Sequence, residues 1–252
     1  MFHVIIPARF AATRLPGKAL LQIGARPLIQ WVWQSAIDSG AASVLVATDD
    51  ERIRAAALKF GADCVMTSAN HVSGTDRIAE AVRAKGFAAD DIVVNLQGDE
   101  PGMPGGLVAR VAQGLRDADG SEISTAVAPV RSLQEFLDPN CVKALRARDG
   151  RALYFSRAPL PWARDAFATD RASLPATVPF LRHIGIYAYR VRSLLQFAAW
   201  PPTPLELTEK LEQLRALEHG MHIHLVTLPE SPPAGVDTPE DLERVRSELQ
   251  KS

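Results

Sequence analysis

The sequence predicts an α/β protein built on a doubly wound, mostly parallel sheet with a small β-rich insertion, and three observations carry that expectation. Short β-branched runs, His3 to Ile6, Ser43 to Thr48 and Asp91 to Leu96, are apolar almost without alternation, as strands buried on both faces are. Segments of helical period lie between them. Each of those segments closes on a glycine, Gly40, Gly61 or Gly86, the residue type that best accepts the left-handed backbone past a helix end.

Leu28 to Ser39 sets Leu28, Ile29, Val32, Trp33, Ala36 and Ile37 at helical spacing and completes the first βαβ unit. Asp50 to Phe60 and Thr75 to Lys85 repeat it. The middle of the chain is less regular. Asp149-Gly150 between Val142 to Ala147 and Ala152 to Phe155 signals a hairpin, a Pro-rich stretch extends from there as far as Pro179, and His183 to Tyr189 resumes a strand. Thr203-Pro204-Leu205-Glu206 has the capping-box order, with Leu207, Leu211, Leu214 and Leu217 as a buried stripe behind it. Thr238 starts a second late helix striped by Leu242, Val245 and Leu249.

Lys plus Arg (28) nearly balances Asp plus Glu (29), so the chain has no overall basic field for nucleic acid or an anionic membrane, and any anion must meet a local cluster. The two cysteines, Cys64 and Cys141, have no CxxC partner and suit a reducing compartment. The run Phe2 to Pro7 is too short for a signal core or a membrane span, so a cytoplasmic protein with an intact N-terminus is expected.

The first strand runs into a loop carrying Arg9, Arg14 and Lys18. At the carboxyl end of a strand in an open sheet, such a loop faces the ligand crevice, where arginine forks and a lysine point charge offset a polyphosphate. Neither the Walker pattern nor a GxGxxG comes after the strand, which disfavours a P-loop NTPase and a nicotinamide dehydrogenase. Asp99 closes the strand ending at Leu96, and Asp237 precedes the helix that Thr238 starts. Read singly, an aspartate before a helix is more often a cap or surface turn residue, and Glu100 stands beside Asp99 as a neighbour of any true ligand.

The run IIPARFAATRLPGKAL resembles the signature of the Kdo (3-deoxy-D-manno-octulosonate) cytidylyltransferases. The likeness continues through His71 to Arg77, Val94 to Pro101, Tyr154 to Arg157, Arg182 to Tyr187, Leu211 to Arg215 and Gly235 to Asp241, in that family's order and over nearly the whole chain. Ala12 and Gly102-Met103 depart from the usual pattern without removing a charged group. The resemblance implies one domain of the nucleotide-diphospho-sugar-transferase type over residues 1–252, with about residues 140–190 inserted for substrate binding or dimerisation. It implies CTP and Kdo as substrates, pyrophosphate release, a role in lipopolysaccharide biosynthesis in Gram-negative bacteria, and a homodimer. Ala8, Arg9, Arg14, Lys18, Ser73, Gly74, Arg77 and Gln97 would then hold CTP, and Asp99 and Asp237 a magnesium ion. Arg9, Arg14, Lys18, Asp99 and Asp237 form the implied catalytic set.

The acidic sugar needs a donor of its own, and Arg157 is the candidate for its carboxylate. His183 and Tyr187, four apart on an expected strand, share a face from which to reach sugar hydroxyls, although a satisfied core histidine has the same pattern. Glu212 and Gln213 lie off the leucine stripe, free for the sugar or simply solvated. Nothing in the spacing chooses cytosine over uracil. A sister enzyme for sialic acid or amino-Kdo and a noncatalytic nucleotide-binding protein are the competing readings. The second has no need of the aspartate pair.

Overall fold

The computed structural model describes residues 1–11 and 15–249, the side chain of Leu249 excepted, so Ala12, Arg14 and the outermost member of the last apolar stripe fall outside the described residues. In chain order the elements are β1 (Phe2–Ala8), β2 (Gln22–Ile23), β3 (Arg26–Pro27), α1 (Leu28–Asp38), β4 (Ser43–Thr48), α2 (Glu51–Lys59), β5 (Asp63–Met66), α3 (Gly74–Lys85), β6 (Ile92–Asn95) and α4 (Gly105–Asp117). They continue as β7 (Ile123–Pro129), α5 (Leu133–Leu137), β8 (Lys143–Arg146), β9 (Ala152–Ser156), α6 (Arg164–Thr169), β10 (Leu181–Arg190), α7 (Val191–Ala199), α8 (Pro204–Glu209), α9 (Gln213–Glu218), β11 (Ile223–Thr227) and α10 (Pro239–Leu249). Among the described residues no helix is long and apolar enough to cross a membrane.

The chain divides into two compact units. The first comprises Met1–Gln113, Ile186–Ala198 and Pro232–Ser252. Its sheet runs β5-β4-β1-β6, all parallel, with the second half of β10 antiparallel on β6. The apolar run of β1 explains its central place: Val4, Ile5 and Ile6 are wholly buried, sheltered by the buried face Leu28, Ile29, Val32 and Ala36 of α1. Ile37, expected on that face, is 44% exposed in the helix's last turn. The glycines after α1, α2 and α3 all take positive φ, as the helix-stop reading requires. The chain passes from β1 to β4 and β5 on one side, then returns to β6 on the other. That reversal is a topological switch point, and it leaves a crevice at the carboxyl ends of β1 and β6.

The second unit comprises Gly114–Gly185 and Ala199–Ser231. It pairs β11 parallel to β7, and folds β8 and β9 into the expected antiparallel hairpin, with β8 also antiparallel to the first half of β10. Val130, Phe136, Phe167 and Phe180 form its small aromatic core, with the Phe136 and Phe180 rings 4.7 Å apart. Phe167 and Phe180 are therefore interior, whereas Trp162 is 51% exposed and Leu153 of the hairpin 63%.

The single leucine-striped helix expected after Thr203 is two helices. Glu206 does reach back to accept the Thr203 backbone N–H at 3.1 Å, but α8 ends at Glu209 and Lys210 takes a left-handed φ of 54°. The turn splits the stripe: Leu211 and Leu214 are buried while Leu207 is 53% exposed. At the other late helix, Thr238 Oγ1 accepts the Asp241 N–H and Asp241 returns to the Thr238 N–H, a reciprocal cap made with aspartate.

Candidate active site

The two segments leaving the carboxyl ends of β1 and β6 bound a pocket of about 290 Å³ in the first unit. From the β1 side come Ala8, the exposed Arg9 and Lys18. From the start of α3 come Ser73, Gly74 and Arg77, and from the far wall Gln97, Asp99 and Asp237. Arg14, expected beside them, lies outside the described residues.

The base of the loop is stapled. Gly17 donates its N–H to the Phe10 carbonyl at 2.8 Å, with φ of 69° and so little room that a Cβ would stand 2.9 Å from the Phe10 ring. The Arg52 guanidinium lies 3.4 Å from the centroid of that ring and is itself held by Asp50, the N-cap of α2. Lys18 is the next residue in the chain, so the staple fixes where its side chain leaves the backbone.

Lys18 Nζ donates to Asp99 Oδ2 at 2.6 Å, to Asp237 Oδ1 at 3.1 Å and to the Val236 carbonyl at 3.1 Å. Desolvation works against the ammonium, yet Asp99 and Asp237 outweigh it and raise its pKa above the usual lysine value. Next to this trio, burial first and then the charges of Asp99 and Asp237 push the Glu100 carboxyl up to about 8, so it is mostly protonated at neutral pH. Two carboxylates converging on one cation, with open space for phosphate oxygens beside them, fit what magnesium takes: a few hard protein ligands completed by substrate and water. Among the described residues no cluster of three or more His, Cys, Asp or Glu side chains suits a metal.

Gly98 sits between Gln97 and Asp99 where a Cβ would stand 2.7 Å from the Pro7 carbonyl. Gly98→Ala must separate the ends of β1 and β6. It is expected to cost about 1 to 3 kcal/mol of stability and to raise the KM for the nucleotide, read by thermal melting and steady-state kinetics.

Arg77 is 3% exposed, and its guanidinium pairs with Asp49 at 2.7 Å and with the Thr67 hydroxyl. It therefore braces the pocket wall from behind, an ion pair whose partner is expensive to remove from the interior. Ser73 caps α3 by accepting the Asp76 N–H at 3.1 Å, which leaves the helix start facing the pocket. His71 and Val72 also line the pocket, and residue type alone does not mark them. His71 Nε2 is tied to the Glu80 carboxylate, which also accepts the Ser68 N–H at 2.9 Å. Their only sequence signal is membership of the same block as Ser73 and Gly74.

The residues expected at the sugar divide between the two units. Tyr187 belongs to the first, on β10 opposite Asn95 of β6. In the second unit His183 stands half-buried on β10, where the Thr125 hydroxyl donates to the Ile184 carbonyl at 3.1 Å and lies 3.0 Å from His183 Nε2. A hydroxyl that donates to a carbonyl receives from the ring, which assigns the proton to Nε2. Desolvation, with the Arg182 charge adding to it, drives the His183 pKa down to about 3. The unfolded chain protonates this histidine below about pH 6.5 while the native state does not, so stability is lost as pH falls from there toward 3. This histidine's share of the loss is expected to reach about 2 to 4 kcal/mol by pH 4, so that His183→Asn loses that much less stability than the wild type between pH 6.5 and 4, measured by urea denaturation across that range.

The half-buried Arg157 has much of its guanidinium committed to backbone carbonyls. Its Nε donates to the Glu209 carbonyl at 2.7 Å, one of those the broken end of α8 leaves in need of a donor, and its Nη1 to the Pro139 carbonyl at 2.9 Å. Gln213, expected to be free at a helix surface, is 7% exposed, since the turn at Lys210 rotates α9 and carries it inward. Its Nε2 is buried with no hydrogen-bond partner among the described residues. Glu212, just ahead of α9, is half-buried.

The cytidylyltransferase family model matches residues 3–223. A 3-deoxy-manno-octulosonate cytidylyltransferase of Pseudomonas fluorescens strain Pf-5 is 53% identical over 249 residues, covering 99% of this chain and 98% of that protein. One of Pseudomonas syringae pv. syringae is 51% identical over the same shares. Among solved structures, CMP:2-keto-3-deoxy-manno-octonic acid synthetase complexed with CTP superimposes with a TM-score of 0.90 at 38% identity, over 100% of this chain and 99% of that one. A nucleotidyl transferase of Methanothermobacter at 17% identity and a TM-score of 0.62 shares the fold. With a pocket at the switch point, a lysine bridging two aspartates within it, and likeness of this extent over the full chain, the protein belongs to the 3-deoxy-manno-octulosonate cytidylyltransferases.

Proposed function

We propose that this chain joins CTP to Kdo, giving CMP-Kdo and pyrophosphate, with magnesium as cofactor, in the cytoplasm and in the service of lipopolysaccharide biosynthesis. The observation that carries the reading is the Lys18, Asp99 and Asp237 trio in the pocket at the switch point. A binding module for a nucleotide gains nothing from two carboxylates facing a polyphosphate, because they repel it unless a cation stands between.

In this reading the 2-hydroxyl of Kdo attacks the α-phosphorus in line and pyrophosphate leaves. Arg9 and Lys18, with Arg14, receive the phosphate oxygens and neutralise the charge that builds on the leaving group. Ser73, Gly74 and Gln97 border the nucleotide and orient it, and the buried Arg77 keeps their wall rigid. Asp99 and Asp237 would hold the magnesium. Bound there, magnesium supplies a hard cation that neutralises phosphate charge and lowers the pKa of an attacking hydroxyl. His183, Tyr187, Glu212 and Gln213 are assigned to the sugar. A homodimer belongs to the same proposal, supported by large apolar side chains left outward at Leu153 and Trp162.

Substrate swaps test the specificity. The kcat/KM with CTP and Kdo is expected to exceed that with UTP and Kdo, or with CTP and sialic acid, by about a hundredfold or more. Equal rates with sialic acid would reassign the acceptor.

A further inference from the structure

The break between α8 and α9 is held by two side chains that no role in the reaction accounts for. The Glu209 carboxylate accepts the Ser156 hydroxyl at 2.6 Å and the Arg157 backbone N–H at 2.9 Å. In return Arg157 donates Nε to the Glu209 carbonyl at 2.7 Å and Nη2 to the Lys210 carbonyl at 3.5 Å, while Nη1 takes the Pro139 carbonyl. The two carbonyls at the break are thus received by one guanidinium fork. Between them, Lys210 is the one non-glycine residue with positive φ among the described residues. A side chain with a Cβ is disfavoured there and persists only where its surroundings over-determine it.

The turn also sets the course of the next segment. It ends α8, redirects the chain, and three residues later buries Gln213 with Nε2 lacking an acceptor. A buried amide donor left unpaired is costly, and an oxygen of a bound ligand relieves it. We propose that Arg157 and Glu209 are positioning residues, a reciprocal clamp on the left-handed turn at Lys210 that sets Gln213 for a sugar oxygen, rather than ligands of the sugar carboxylate. The proposal rests on the assignment of Gln213 to the sugar.

The test is a set of steady-state measurements on Arg157→Lys, Lys210→Gly, the double variant, Glu209→Gln and Gln213→Ala. Lysine keeps the charge of Arg157 and loses the fork, so Arg157→Lys is expected to raise the KM for Kdo about tenfold while the KM for CTP stays within about twofold. Glycine adopts the turn unaided. Lys210→Gly alone therefore changes neither KM, and in the double variant it brings the KM for Kdo back to within about threefold of the wild type. Glu209→Gln gives the same pattern in milder form and carries the test if Arg157→Lys does not fold. A Kdo defect that Lys210→Gly leaves in full, as a direct carboxylate ligand requires, overturns the clamp, and so does a CTP defect of equal size. Gln213→Ala separates the two levels: an unchanged KM for Kdo there removes Gln213 from the sugar and the proposal with it. A Gln213→Ala defect beside an unrescued Arg157→Lys defect removes the clamp alone.

Discussion

Asp99→Asn folds as the wild type does and loses turnover by about three orders of magnitude at saturating CTP and Kdo. The substitution is nearly isosteric, and the side chain is 30% exposed, so no cavity or buried charge is created. What it removes is one of two formal charges that converge on a single cation position, the nearer to Lys18 at 2.6 Å against 3.1 Å for Asp237. An amide oxygen is a poorer ligand for a hard cation than a carboxylate, so the residual rate should require much more magnesium. The Asp237 side chain is 51% exposed, and Asp237→Asn is expected to be the milder of the two. Circular dichroism checks the fold, and turnover against magnesium concentration checks the role. Wild-type turnover in Asp99→Asn at low magnesium contradicts the metal assignment.

Lys18→Met is expected to lower kcat/KM for CTP by about a hundredfold to a thousandfold and to destabilise the ligand-free protein by about 1 to 2 kcal/mol. The first effect is loss of a phosphate partner. The second arises because Asp99, Asp237 and the Val236 carbonyl share this ammonium, and without it the two carboxylates repel across the pocket. Because the pKa of Lys18 is raised on folding, its contribution is complete below the unfolded lysine value near pH 10.5 and is lost only above it, so neutral pH reads it in full. Magnesium should replace the missing cation and raise the melting temperature of Lys18→Met more than that of the wild type. Equal shifts in both proteins contradict a shared cation position.

Much of the first unit is legible in the sequence because its determinants are local. The unalternating runs of β1, β4 and β6, the capped helices and the glycines that end them all act within a few residues of themselves. Lys18, Asp99 and Asp237 are legible as chemistry, but their meeting depends on the return of the chain from β5 to β6 and again to α10, which no spacing shows. The second unit is less legible. The sequence marks no strand at Ile123–Pro129 or Ile223–Thr227, whose parallel pairing joins distant parts of the chain. The leucine spacing after Thr203 is truly helical, yet tertiary contacts from Arg157 and Ser156 overrule it at Lys210. The spacing therefore puts Gln213 on the wrong surface, and Arg157 carries a guanidinium whose backbone partners are invisible to residue type.

Pyrophosphate release by the purified protein with magnesium, with CTP and Kdo each supplied or withheld, is the most direct measurement. Release that needs all three components, with product at the mass of CMP-Kdo, is the result expected from the pocket at the switch point. Release from CTP alone at the same rate would mean that water is the acceptor, and would contradict transfer to the sugar.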